Sequence, residues 1–138
     1  FVGFEGDMTR LRYPEKPLRP TVPHNRLPRE LFEDDVCWEL VDRGRWRYAD
    51  PIMLGEGRAT IRLLELLSRV PRCHRMKVLC LEDNMAWAAA AAKGRSPNFA
   101  ANYLLRRKCS YAVASALLLL LPWLESRLQP ADYASRLF

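Results

Sequence analysis

The stretch MKVLCLEDNMAWAAAAAKGRSP, Met76–Pro97, decides the fold. Met76–Leu81 is a short apolar run after a basic turn, which predicts a buried strand. Met85–Ala92 contains five consecutive alanines, the residue with the highest helix propensity, and predicts a helix. Gly94-Arg95-Ser96-Pro97 breaks it. A strand that turns directly into a helix, with Asp83 at the junction, is the joint of an α/β sheet.

Outward from this joint the pattern continues. Asn98–Ala114 predicts a second amphipathic helix, and Ala116–Leu124, apolar and interrupted by Pro122, predicts another strand. Pro130 opens a final short helix, since proline fits a first turn. Upstream, Glu56–Arg69 has helical periodicity. Ala59, Leu63, Leu66, Leu67 and Val70 share one face, Arg58, Arg62, Glu65 and Arg69 lie largely on the other, and Pro71 ends the helix. Val36–Val41 and the aromatic Trp46–Tyr48 flank a glycine-containing turn and predict a β-hairpin. In residues 1–30, Pro14, Pro17, Pro20, Pro23 and Pro28 each remove a backbone donor and bias the preceding residue toward extended geometry. The expected organisation is an extended proline-rich arm, residues 1–30, followed by a mixed α/β domain, residues 31–138, with a central sheet flanked by helices.

The 138 residues make about one domain, and 49% hydrophobic against 28% charged residues gives enough apolar matter for a core. The net charge of +6 is unevenly spread. Residues 1–56 carry nine basic and eleven acidic side chains, residues 57–138 thirteen and five. A polyanion is therefore expected to sit on the second half. Eighteen of the 22 basic residues are arginine, which makes forked phosphate contacts, although GC-rich coding produces the same bias. The longest apolar stretch, Ala112–Leu124, is shorter than the ~20 residues of a membrane-spanning helix, so no membrane partner is expected. The opening on Phe1 suggests a fragment or processed product, and no signal peptide is expected. Cys37, Cys73, Cys80 and Cys109 form no CxxC pair and are read as reduced thiols of an intracellular protein, cytoplasmic or nuclear. His74 beside Cys73 lacks the second close pair that a zinc site needs.

Three carboxylates occupy positions that chemistry uses. Glu56 opens the first long helix, Asp83 follows the strand Met76–Leu81, and Asp132 opens the last helix. Strand ends and helix starts of one α/β sheet converge on a cleft. Carboxylates gathered there repel one another unless divalent cations neutralise them, and Mg²⁺ takes such oxygen ligands together with substrate phosphates. The plain alternative is that each acidic residue merely favours a helix N-terminus.

The surroundings of these carboxylates carry a resemblance. LEDN (Leu81–Asn84), followed by an alanine-rich helix and KGRS (Lys93–Ser96), is similar to the ribonuclease H-like domain of retroelement polyproteins. WLESRLQPADYASR (Trp123–Arg136) resembles the tail of reverse-transcriptase-linked ribonuclease H domains, and GRWRYADPIMLGEGRA (Gly44–Ala59) resembles the family's hairpin leading into its first helix. The resemblance spans about residues 36–136. It implies a five-stranded mixed sheet flanked by helices and a metal-dependent endonuclease cleaving the RNA strand of an RNA–DNA hybrid. Glu56, Asp83 and Asp132 would be catalytic and hold two Mg²⁺ ions, or Mn²⁺. The family's first aspartate has no counterpart here, and Asp7 in FEGDM is the only placeable substitute. Gly55 and Gly57 flank Glu56 and give that helix a loose start.

Arg95, Arg106, Arg107 and Lys108 are the candidate contacts to a hybrid or other duplex, because phosphate contacts position a duplex without reading its sequence. The plain alternative is a solvated helix face. Trp38, Trp46 and Trp123 are read as core, and Trp87, one turn after Asp83, as either core or a stacking platform. The alternative function is a non-catalytic relic of the fold, serving as a protein-binding or assembly module for other polyprotein domains or a protein complex.

Overall fold

Proline 51, in extended conformation, caps the first helix, and its carbonyl accepts the amides of Leu54 at 2.8 Å and Gly55 at 3.2 Å. From there helix α1 runs over Ile52–Ser68. The computed structural model describes residues 49–132 together with 2–3, 27, 38–42 and 44. α1 buries Leu54, Gly57, Ile61 and Leu64, at three- and four-residue intervals, and turns Arg58 and Arg62 outward. Outside, Arg58 pairs with Asp50 at 2.7 Å and Glu65 takes both Arg62 and Arg69. Glu56 therefore does not open α1 as the sequence predicted. The helix begins a turn earlier, because Pro51 fits the cap and the apolar face already includes Leu54.

A short 3-10 turn, Pro71–Cys73, leads to strand β3, Lys77–Leu79. Helix α2, Met85–Lys93, is capped by Asn84, whose side chain accepts the Trp87 amide at 2.9 Å, and ends at Gly94 in the left-handed conformation, φ 69°. Helix α3, Phe99–Ser115, is capped in the same way by Asn98, whose side chain accepts the Ala101 amide at 3.2 Å. Strand β4, Leu118–Leu120, follows. β3 and β4 pair in parallel, Val78 opposite Leu119, and a further bridge joins Glu82 to Trp123 in the same register. Arg75 and Ala116, both at positive φ, precede the two strands, and the Arg75 amide donates to the Ser115 carbonyl at 3.0 Å.

The chain is mixed α/β, and it divides into two compact units. In the unit formed by Trp46–Trp123, α1 packs along α3 around Leu54, Ile61, Trp87, Ala90, Ala91, Ala101, Leu104 and Leu105. A second cluster of Leu64, Leu117 and Leu119, with Val78 packed on it, joins the sheet to the helices. The expected buried strand Met76–Leu81 is corrected in length and in burial. β3 is shorter, and it turns Val78 inward while Lys77 and Leu79 are exposed. Helices cover one face of this sheet; Leu79, Leu118 and Leu120 stand exposed on the other.

The second unit comprises Phe1–Arg45 and Leu124–Phe138. In it, β1 (Val2–Gly3) pairs antiparallel with β2 (Glu39–Leu40). Residues 126–128 form a 3-10 turn, and Ala131 and Asp132 are helical after Pro130, where the sequence predicted a helix start. Among the described residues the strands form two two-stranded sheets. The predicted partner Trp46–Tyr48 of the hairpin and nearly all of the proline-rich arm lie outside the described residues. Among the described residues, no helix is long and apolar enough to cross a membrane.

Candidate functional site

The site rests on a close approach of α1 to Trp87 and α3. A Cβ added at Gly57 would meet Leu104 Cδ1 at 2.8 Å and the Trp87 ring at 3.0 and 3.1 Å, so glycine lets these elements touch. The flanking glycine read from sequence as a loose helix start is, at position 57, a packing requirement. Trp87 is fully buried, and its indole N–H donates to the buried Thr60 hydroxyl at 2.8 Å. Trp87 is thus a core residue and not a stacking platform. Thr60 and Gly57 lie within a turn of Glu56 on α1, and Trp87 lies one turn into α2 beyond Asp83. The same packing contact therefore holds Glu56 against the β3–α2 junction.

There Glu56 meets two carboxylates, Glu82 and Asp83. Each of the three offers an oxygen, and these oxygens lie within 4.8 Å of one another. Glu82 is buried, with Oε1 accepting the Asn84 amide at 2.9 Å. Burial pushes its carboxyl up to about 7; the Asn84 hydrogen bond opposes the shift, while the charges of Glu56 and Asp83 add to it. Burial, and then the nearby Asp83 charge, also raise Glu56 above the ordinary carboxylate range. Asp83 is half-buried, and its carbonyl accepts the Trp123 indole N–H at 3.0 Å, which ties the junction to the end of the β4 segment. Beside the cluster, the Cys80 thiol is raised to about 12 by burial first and the Glu82 charge second.

Of the sequence-predicted carboxylates, the structure brings together Glu56 and Asp83. Asp132 is half-buried in the other compact unit, where its amide donates to the Gln129 carbonyl at 3.1 Å. Asp7 lies outside the described residues. Sequence reasoning missed Glu82. The available signal was a charge directly ending an apolar run, where the ladder to Pro122 and Trp123 turns the residue inward.

Arg95 stands exposed in the loop between α2 and α3, and Arg106 and Arg107 are exposed on α3, with Lys108 half-buried beside them. Cys73, Cys80 and Cys109 are free thiols, Cys37 lies outside the described residues, and His74 Nε2 lies 2.8 Å from the Ser68 carbonyl oxygen. Trp38 and Trp123 are half-buried, and Trp46 lies outside the described residues. Comparison of the chain with family models, curated proteins and solved structures finds no match.

Proposed function

We propose that this chain is a ribonuclease H-like domain of a retroelement polyprotein, with the mixed central sheet and proline-rich arm of that reading. It acts inside the cell, in cytoplasm or nucleus, on the RNA strand of an RNA–DNA hybrid. The observation that supports the reading is the meeting of Glu56 from α1 with Asp83 from the strand–helix junction, beside the buried Glu82. The donor set fits a hard divalent cation, because it is built of carboxylate oxygens whose mutual repulsion and burial favour a neutralising charge. Glu56 and Asp83 would hold Mg²⁺ or Mn²⁺. When bound, the ion supplies water activation and stabilisation of the leaving oxygen. The chain's own part is to place the ligands, through the Gly57–Trp87 contact, and to hold a proton on Glu82 up to near-neutral pH in the metal-free state. Arg95, Arg106, Arg107 and Lys108 supply phosphate contacts to the duplex.

Thermal melting with and without metal tests this. Mg²⁺ or Mn²⁺ is expected to raise the melting temperature of the parent chain, and Asp83→Asn to abolish the rise. Cleavage of a hybrid is expected to be weak, stronger with Mn²⁺ than with Mg²⁺, since Mg²⁺ demands near-ideal octahedral geometry. It should be lost in Asp83→Asn. Melting unchanged by either metal in the parent chain would refute the shared site. The lack of a counterpart to the family's first aspartate favours the second reading, a non-catalytic relic serving in assembly. Metal binding without any cleavage would select it.

A further inference from the structure

From Asn84 to Leu124 the chain holds five cationic side chains and no acidic one. This acid-free segment comprises α2, α3 and β4. Within it, α3 carries an exposed stripe at helical spacing, namely Phe99, Tyr103, Arg106, Ser110 and Val113, with Arg107 alongside. Phe99 is 82% exposed and Tyr103 59%, one turn apart and immediately before the two arginines. The stripe is not the core face of the helix: Ala101, Leu104 and Leu105 are buried on α3 against α1 and Trp87. An amphipathic helix that already buries one apolar face has no packing reason to expose two aromatic rings on another.

We propose that this stripe is a docking surface for single-stranded nucleic acid, with unpaired bases stacking on Phe99 and Tyr103 and the backbone phosphates on Arg106 and Arg107. Charge complementarity selects a polyanion, because Arg106 and Arg107 stand exposed beside the rings in a stretch of chain with five cationic side chains and no acidic one. The aromatics select an unpaired strand. In a duplex the faces of the bases are stacked inside and closed to a side chain on a helix surface, whereas a single strand offers each base face for stacking. Arginine reinforces both, through forked phosphate contacts and stacking of its planar guanidinium. The inference rests on the nucleic-acid part of the reading above and is independent of the carboxylate cluster.

Fluorescence anisotropy of the full 138-residue chain tests it, with a labelled single-stranded oligonucleotide and an RNA–DNA hybrid of the same sequence. The single strand is expected to bind more tightly than the hybrid. Phe99→Ala and Tyr103→Ala should each weaken single-strand binding by about tenfold and leave hybrid binding within about twofold, because stacking is made only to unpaired bases. Arg106→Gln with Arg107→Gln should weaken both. Phe99→Leu and Tyr103→Leu, which keep an apolar side chain at each position, should weaken the single strand as the alanine variants do. Single-strand binding unchanged in the aromatic variants, while hybrid still binds, overturns the stacking surface and leaves the phosphate contacts standing. No binding of either nucleic acid overturns both. Self-association of the parent chain that disappears in Phe99→Ala, or preferential binding to anionic phospholipid vesicles, would assign the stripe to a second copy or to a membrane surface and overturn the proposal.

Discussion

Glu82 is the residue whose environment departs furthest from its sequence context. Its carboxyl binds a proton more tightly in the fold, at about 7, than the ordinary 4.5 of an unfolded chain. Between those values the folded state holds more protons than the unfolded one, so stability is present below about pH 4.5 and falls as pH rises toward 7. The loss amounts to at most about 3 kcal/mol. Glu56, also raised, adds in the same direction. Glu82→Gln keeps an oxygen for the Asn84 amide and removes the titration. Denaturant unfolding should show the two proteins equally stable near pH 4.5, with the variant more stable by about 2 kcal/mol at pH 8. Parallel pH profiles would show that Glu82 ionises in the fold without cost. This residue was not legible in the sequence, where it reads as one more charge beside Asp83. Its burial follows from the β3–β4 ladder continuing past Leu79, and pairing between strands distant in sequence leaves no local signature.

At the scale of elements, the junction of α1 with α2 and α3 hangs on Gly57. Alanine there improves helix propensity by about 1 kcal/mol. Its Cβ would meet Leu104 Cδ1 at 2.8 Å and two atoms of the Trp87 ring at 3.0 and 3.1 Å. Leu104 can shift its terminal methyl, but the Trp87 ring is pinned by its bond to Thr60 and cannot withdraw without leaving a buried donor unpaired. Overpacking of this kind costs about 1–3 kcal/mol, so Gly57→Ala is expected to destabilise by a net ~1 kcal/mol in thermal melts. It should also weaken the metal-dependent rise in melting temperature, because Glu56 precedes Gly57 directly. A rise in metal-free stability would show that Leu104 and Trp87 yield freely. The helices themselves were legible. The alanine run and the break at Gly94–Pro97 are local signals that act within a turn of the elements they bound, and the predicted ends of α2 and α3 agree with the structure to within a residue.

For the whole molecule the charge distribution sets what is attracted and how salt affects it. Exposed Arg95, Arg106 and Arg107 lie in the segment without acidic residues. If they neutralise phosphates, affinity for a hybrid should fall steeply between ~50 and ~200 mM salt, as released counterions are driven back. Arg106→Gln with Arg107→Gln should lower the slope of log affinity against log salt by about two, since each phosphate contact contributes about one. An unchanged slope would place the duplex elsewhere on the molecule.

The sequence by itself determined the α/β character, the extents of α2 and α3 to within a residue, the existence of the first helix though not its start, a strand within Ala116–Leu124 and the basic bias of the second half. Periodicity, capping residues and charge are properties of neighbours along the chain, and they act without reference to distant segments. Only the tertiary structure decided that Gly57 is a contact and not a weakness, that Trp87 is core, that Glu82 joins Glu56 and Asp83, and that β3 is half-exposed. Each of these depends on which surfaces meet across tens of residues. Packing settles that through the volume left between elements and the partners available to buried polar groups, and no local pattern encodes either quantity.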